Sequence, residues 1–140
     1  QAYEATAYVV DETAEYESTG QTEYEEFTCS AEEMFADTIV VEAPASVTRS
    51  YASWTIKNGY TMKSPAFHKD KGGQVNVAGV ISPSDKYVTM GIIQPDGSTR
   101  AIKVNGNFSF TFTNLAYTGS YRVFIKNSSG TTVTCELVYN

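Results

Sequence analysis

Strict alternation of apolar and polar residues in the second half of the chain is the feature that most constrains its fold. In "FSFTFT" (108–113), Phe108, Phe110 and Phe112 fall on one side of an extended chain, and the hydroxyl residues fall on the other. A period of two residues is typical of a strand that is buried on one face only. Comparable runs occur at 50–57, 74–81, 86–93, 99–104, 120–127 and 131–139. The pattern therefore predicts an all-β fold.

Short polar stretches between these runs predict the turns. "QPDGS" (94–98) and "NGN" (105–107) carry turn residues, and Asn-Gly suits the tight type I′ turn of a hairpin. We therefore expect a hairpin at each of these two positions. "SSG" (128–130) is expected to turn the chain between its last two strands.

The first 42 residues differ from the rest of the chain in charge. They hold twelve Asp and Glu residues and no Lys or Arg, whereas all ten Lys and Arg residues come later. They also contain aromatic and β-branched residues, which disordered acidic tails lack. We therefore expect residues 1–42 to pack on the domain as edge strands and a short helix. A mobile leader or pro-like arm is the alternative.

The short helix is predicted from one local pattern. In "SAEEMFA" (30–36), Ser30 and Glu33 have the spacing of a capping box, in which each side chain bonds the backbone amide of the other residue. This pattern places one or two helical turns near residues 31–36.

Length and composition agree with one β-rich domain. The chain has 140 residues, enough for a hydrophobic core, with ten tyrosines and only 19% charged residues. We predict a single domain, residues 1–140, that folds as an antiparallel, two-sheet, jelly-roll-like β-sandwich of about seven to nine strands. Residues 43–140 are expected to supply its main strands, with the acidic segment packed on them.

No motif in the sequence predicts catalysis. His68, the only histidine, lies in "FHKDKGG" and is expected in a loop before the two glycines. Adjacent glutamates such as Glu25 and Glu26 face opposite sides of a strand, so such a pair cannot flank one glycosidic bond. We therefore predict that the protein is not an enzyme.

Metal, nucleic acid and membrane are not expected as partners. Asp11, Glu12 and Glu15 form a loose acidic group, but the sequence has no EF-hand spacing, so we predict no metal and no cofactor. The net charge of -6 disfavours nucleic acid, because phosphate binding requires a basic surface. No run approaches the ~20 apolar residues of a membrane-spanning helix.

The two cysteines, Cys29 and Cys135, lie near opposite ends of the chain and are the candidate disulfide. A bond between them would close a loop of about 105 residues and contribute roughly 4 to 5 kcal/mol in the chain-entropy model. The alternative is two reduced cysteines that pack as small apolar residues. Cys135 shares a strand face with Val133 and Leu137, where we expect an inert thiol.

The strand at 120–127 carries the candidate binding site. Phe124 is predicted to face outward between Arg122 and Lys126, because the residues that alternate with it are apolar and face inward. Exposed aromatic rings are surfaces on which sugars stack. The candidate ligand-binding residues are Phe124, Tyr117, Arg122, Lys126, Tyr87 and Tyr60. The alternative is that the acidic segment covers this face and its acids meet Arg122 and Lys126.

The stretch "LAYTGSYRVFIKNSSGTTVTCELVY" (115–139) resembles the closing hairpin of bacterial extracellular β-sandwich modules. In those modules a Gly-x-Tyr-x-Val strand, here Gly119, Tyr121 and Val123, precedes an Asn-Ser turn and a Thr- and Val-rich last strand. The pre-peptidase C-terminal modules of secreted hydrolases and small secreted proteins of Gram-positive bacteria are similar. The resemblance covers residues 65–140 and implies a jelly-roll-like sandwich in an extracellular setting, with no catalytic residue.

Two functional hypotheses follow. The first is a non-catalytic secreted module that binds a carbohydrate or an extracellular protein at the cell surface. The second is a structural or inhibitory protein whose acidic N-terminal segment masks a basic sheet face. Both place the protein outside the cell, and neither requires a cofactor.

Overall fold

The computed structural model of the chain describes residues 24–44 and 51–140. Predictions about residues 1–23 and 45–50, including the acidic group Asp11, Glu12 and Glu15, lie outside the described residues. The described part contains eleven strands and one short helix. In chain order, the elements are β1 (Phe27–Ser30), α1 (Ala31–Met34), β2 (Ile39–Glu42), β3 (Tyr51–Ile56), β4 (Tyr60–Lys63), β5 (Phe67–Lys69), β6 (Val75–Ser82), β7 (Val88–Ile93), β8 (Ser98–Val104), β9 (Asn107–Phe112), β10 (Gly119–Asn127) and β11 (Val133–Tyr139).

The strands form two sheets that pack on each other as a β-sandwich. The large sheet has seven strands in the order β1-β8-β7-β10-β4-β2, with β5 paired to β10 beside that row. The small sheet has four strands in the order β3-β11-β6-β9. The prediction of an all-β, two-sheet sandwich is confirmed. The number of strands exceeds the expected seven to nine because several short strands are present. Among the described pairings, β2 and β4 depart from the antiparallel prediction, because these two strands run parallel.

Of the two predicted hairpins, one is confirmed and one is wrong. β7 and β8 pair antiparallel on either side of the turn at 94–98. The Asn-Gly turn at 105–107 instead joins β8 of the large sheet to β9 of the small sheet. Gly106 has a φ of 53°, and the Asn105 side chain donates to the Ser84 carbonyl at 2.9 Å. Gly106 is left-handed but Asn105 is not, so the type I′ hairpin turn does not form and the chain crosses to the other sheet.

The turn at 128–130 also crosses between the sheets, because β10 belongs to the large sheet and β11 to the small one. The buried Asn127 amide holds this crossing by donating to the Ile56 carbonyl at 2.9 Å and to the Thr131 carbonyl at 2.8 Å. The closing hairpin that the resemblance implied for 115–139 is therefore wrong. The two strands it contains lie in different sheets.

The core lies between the two sheets and follows the predicted alternation. Ala52, Trp54 and Ile56 of β3 are all buried. Tyr121 of β10 is fully buried, and its hydroxyl donates to the Tyr117 carbonyl at 2.6 Å. A bond of this kind, from a tyrosine near a strand start back to the preceding backbone, is the tyrosine corner of many β-sandwiches. It allows a large polar ring to enter the core without an unsatisfied hydroxyl.

The acidic segment supplies both edges of the large sheet, because β1 and β2 are its two outermost strands. Between them, α1 and the turn after it cross the outer face of the sheet, where Met34 packs with Ala101 and Phe124. We call residues 31–42 the strap. Ser30 Oγ accepts from the Glu33 amide at 3.0 Å, and the predicted short helix is confirmed. Residues 24–42 of the acidic segment thus lie on the large sheet, and the expected packing of the whole segment stays a prediction.

Candidate functional site

The strap buries the residue that was expected to form the binding platform. Phe124 does face away from the sandwich core, but it is 0% exposed. Its ring meets the Phe35 ring edge-on, with 5.0 Å between the ring centroids, and Met34 packs beside it. The prediction that Phe124 is an exposed platform is therefore wrong. Alternation determines which side of a sheet a residue faces, but it does not show what covers that side.

Acids of the strap neutralise the two cations that flank Phe124. Lys126 Nζ lies 3.0 Å from Asp37 Oδ1 and also donates to the Met34 carbonyl at 2.7 Å. Arg122 donates to Glu42 Oε2 at 2.8 Å. Hydrogen bonds from these cations lower the pKa of Asp37 and of Glu42 below the usual values. The alternative expectation, that the acidic segment meets Arg122 and Lys126, describes this geometry.

The three candidate tyrosines do not come together. Tyr117 precedes β10 at one end of the sandwich and is 38% exposed. Tyr60 pairs with Asn127 at the other end of β10 and packs against the core. Tyr87 is 59% exposed just before β7, near that same far end. The six candidate residues are thus dispersed over two ends and a covered face, and a ligand-binding role for the exposed ones stays a prediction.

The two cysteines are free, so of the two alternatives the pair of reduced cysteines describes the structure. Cys29 lies on β1 of the large sheet and faces the strap, with its Sγ 3.7 Å from Thr99 Oγ1. Cys135 lies on β11 of the small sheet and is 1% exposed. Burial raises the pKa of the Cys135 thiol to about 12. The expected inertness of Cys135 follows, because the reactive form of cysteine is the thiolate.

His68 lies in strand β5 and not in the predicted loop. Its Nε2 is 3.0 Å from Asp70 Oδ1, and it stands opposite Ser120 in the pairing with β10. The side chains of His68 and Asp70 are 66% and 82% exposed. None of the hydrogen bonds of the described residues joins the His68 imidazole to Ser120. The absence of enzymatic activity stays a prediction. The exposed His68–Asp70 pair by itself does not favour catalysis.

The outer face of the small sheet is open, in contrast to the covered face of the large sheet. Tyr51, Val80 and Val138 stand on it and are 41%, 44% and 52% exposed. In the strand pairing Val138 lies between Tyr51 and Ala78, so these side chains form one row across the sheet. Together with their neighbours they line a groove of about 590 Å³. We call this groove the open face; it is lined by Tyr51, Ala78, Gly79, Val80, Asn107, Phe108, Ser109, Glu136, Leu137 and Val138.

The open face is apolar and carries one charge. Glu136 pairs with Ser53 and Val80 in the sheet and is the one charged residue among those that line the groove. None of the ion pairs found within residues 24–44 and 51–140 includes it. Such a surface can bury aliphatic side chains and accept a hydrogen bond from a cation or an amide.

Sequence reasoning did not find the open face, although a signal was present. Val80 precedes the buried Ile81, and Val138 follows the buried Leu137. Two consecutive apolar residues in a strand place one of them on each face of the sheet. An apolar residue such as Val80 or Val138, on the otherwise polar outer face of a strand, therefore indicates an exposed apolar patch.

Comparisons with known proteins add little. No family model matches the chain, and no curated protein matches it. One solved structure that the chain is similar to is PliG from Aeromonas hydrophila, described as a periplasmic lysozyme inhibitor of g-type lysozyme. The match has 12% identity and a TM-score of 0.45, and covers 74% of this chain and 98% of that one. At this level of similarity, we base no function on it.

Among the described residues there is neither a metal-binding cluster nor a membrane-crossing helix. No group of three or more His, Cys, Asp or Glu residues in 24–44 and 51–140 is arranged to hold a metal ion. Across the same residues, no helix has the length and apolar character needed to cross a membrane. The open face is therefore the candidate site that we develop.

Proposed function

We propose that this protein is a non-catalytic, extracellular binding module that binds a partner protein through the open face. The observation that carries the proposal is the contrast between the two sheet faces. The outer face of the large sheet is covered by the strap, whereas the small sheet exposes Val80, Val138 and Tyr51 side by side. Contiguous exposed apolar side chains of this kind mark interaction sites on soluble proteins.

The chemistry of the open face favours a protein over a glycan. Val80 and Val138 are aliphatic, and burial of each half-exposed valine would contribute about 1 kcal/mol to binding. A sugar-binding surface instead needs aromatic rings that face the same way, and Tyr51 is the only aromatic residue exposed in the groove. The partner that fits presents aliphatic side chains and one Lys or Arg opposite Glu136.

The test compares the two ligand classes with the same protein. The full chain is applied to an array of extracellular proteins and to an array of glycans. A Val80→Ser/Val138→Ser variant is measured beside the wild type, and Thr134→Ala on the same face is the matched control. Because the variant removes apolar contact area and leaves the strands intact, we expect it to lose at least tenfold in affinity for the protein partner, and the control to lose none.

Two results would contradict the proposal. One is saturable binding to a glycan that the double variant retains, which would indicate a sugar site elsewhere on the molecule. The other is protein binding that is equal in wild type and double variant. Glu136→Gln adds a finer check, because loss of the cation contact should reduce the salt dependence of binding.

A second candidate function is supported by the strap. Its acids lie against Arg122 and Lys126, and its helix covers Phe124. In this alternative the strap masks a basic and aromatic face, and a partner displaces it. Hydrogen exchange at low and high salt tests this idea, since Asp37 and Glu42 are largely exposed and their ion pairs are screened by salt. Strap amides that exchange equally slowly in 1 M salt would count against masking.

A further inference from the structure

The outermost strand of the large sheet on its β4 side is unusually apolar. β2 contains "IVVE", and all four residues are exposed. Ile39, Val40 and Val41 are 57%, 38% and 39% exposed. Edge strands of natural proteins are ordinarily protected by Lys, Pro or a bulge, because their free backbone groups pair with other strands. Within Ile39–Glu42, β2 has no Lys, Pro or bulge, and its short length and Glu42 are the protective features that it has.

The backbone of β2 offers hydrogen-bonding groups to a further strand. The Ile39 amide donates to the Gly59 carbonyl at 2.9 Å, and the Ala43 amide donates to the Lys63 carbonyl at 2.8 Å. Backbone groups of successive residues in a strand point to opposite sides. Ile39, Val41 and Ala43 are therefore directed toward β4, and the N–H and C=O groups of Val40 and Glu42 are directed away from the sheet.

We propose that β2 pairs with β2 of a second copy of this chain, antiparallel, about a two-fold axis at Val41. In this arrangement Val40 of each copy forms a hydrogen-bonded pair with Glu42 of the other, and the two Val41 residues face each other. The two large sheets then continue into one another across the interface. This inference does not depend on the function proposed for the open face.

The register follows from which residues face outward. Only residues of the same type, outward or inward, can stand opposite each other in an antiparallel pair. An axis at Glu42 would place two carboxylates opposite each other, which is destabilising. An axis at Val40 would require Thr38 as a pairing residue, but Thr38 lies outside β2 and its amide already donates to the Phe35 carbonyl at 3.2 Å. The axis at Val41 keeps the hydrogen-bonded pairs, Val40 of each copy with Glu42 of the other, within β2.

The charges near the β2 edge are compatible with pairing to a second copy of the same edge. Glu42 is already paired with Arg122, and Asp37 just before β2 is paired with Lys126. The edge therefore presents neutralised charge and aliphatic side chains, and an identical edge meets no repulsion there. The two opposed Val41 side chains are β-branched, and such residues pack well on the pleated surface of a sheet.

The first experiment measures mass as a function of concentration by sedimentation velocity on the full chain. Because the interface is short, we expect a weak dimer whose fraction rises between about 10 µM and about 1 mM. Val41→Lys should weaken association at least tenfold, since it places two ammonium groups across the axis. Tyr87→Lys, at an exposed position outside both β2 and the open face, should leave association unchanged.

A cross-linking experiment tests the register. Residues that face each other in a non-hydrogen-bonded pair have Cα atoms about 4.5 Å apart, within the span of a disulfide. In a Cys29→Ser background, Val41→Cys should form a covalent dimer under mild oxidation. Val40→Cys should not, because the two-fold register places the two position-40 Cα atoms more than about 7 Å apart. Tyr87→Cys, outside β2 and the open face, reports the rate of random collision.

Three results would overturn the inference. A wild type that stays monomeric over the whole concentration range would exclude self-pairing. A Val41→Lys variant that associates as the wild type does would place the interface elsewhere. Cross-linking of Val40→Cys faster than Val41→Cys would exclude the axis at Val41. Since all three variants lie at exposed positions, a near-UV spectrum equal to that of the wild type separates loss of pairing from loss of folding.

Discussion

The ring of Phe124 occupies the space that a side chain at Gly91 would fill. A Cβ at Gly91 would lie 2.8 Å from two ring atoms of Phe124 and 2.3 Å from the Arg100 carbonyl oxygen. The two residues stand opposite each other on β10 and β7. A glycine at this point gives the ring a place flat against the sheet, where Phe35 of the strap covers it. The absence of a side chain at Gly91 thus allows the contact between Phe124 and Phe35 of the strap.

Gly91→Ala should destabilise the fold. The added methyl cannot avoid the backbone oxygen of Arg100, and we expect the strain to lower the free energy of unfolding by about 2 kcal/mol. Urea unfolding monitored by circular dichroism measures the free energy of unfolding. Gly91→Ala/Phe124→Leu serves as the matched variant and should recover only part of the loss, because the contact with the Arg100 oxygen remains. An unchanged midpoint for Gly91→Ala would contradict the close approach.

Phe124→Ala and Tyr87→Ala should differ sharply in stability. Phe124 is fully buried, and truncation of a buried phenylalanine costs about 3 to 5 kcal/mol. Tyr87 is 59% exposed, and its truncation should cost less than about 0.5 kcal/mol. Thermal and urea unfolding of the two variants are compared with the wild type. Equal losses would show that the strap does not enclose Phe124.

Stability should fall as the pH drops below the ordinary range of carboxyl groups. Hydrogen bonds from Lys126 and from Arg122 lower the pKa of Asp37 below its usual 3.8 and that of Glu42 below its usual 4.5. A lowered native pKa contributes stability that is complete above the ordinary value and is lost as the pH falls through the lowered one. Unfolding free energies measured from about pH 7 to about pH 2.5 should therefore decline below about pH 4.5.

The Asp37→Asn/Glu42→Gln variant is the control for this pH dependence, and its curve should be flatter. Some slope remains in both proteins, because hydrogen bonds from the Ser98 side chain and backbone also lower the pKa of Asp96. Parallel curves for wild type and variant would mean that the strap ion pairs contribute nothing to acid stability.

A thiol titration distinguishes the two cysteines. Cys135 is 1% exposed with its pKa raised to about 12, so we expect no reaction with a disulfide reagent at pH 8 in the native state. Cys29 is half-buried and should react. The expected result is one thiol per chain in buffer and two in denaturant without reductant. A count of zero in denaturant would instead reveal the disulfide between Cys29 and Cys135.

Local pattern determined the strands, the residues that face inward and the short helix. These features depend on neighbours in the chain: a period of two decides the buried face, as at Ala52, Trp54 and Ile56, and the Ser30–Glu33 spacing decides a helix start. The pairing of the acidic segment with later cations was also foreseeable, because opposite charge attracts without any particular geometry.

Tertiary structure alone decided what lies over each face and which strands are neighbours. Asn-Gly can form the type I′ turn of a hairpin or, with only the glycine left-handed as here, a crossing between sheets, so the sequence around 105–107 does not distinguish them. Phe124 is outward in either case, and only the path of the strap makes it buried. Cys29 and Cys135 stay apart because their strands belong to different sheets and face different layers. Contacts between distant segments depend on the whole chain path, which periodicity within one segment does not encode.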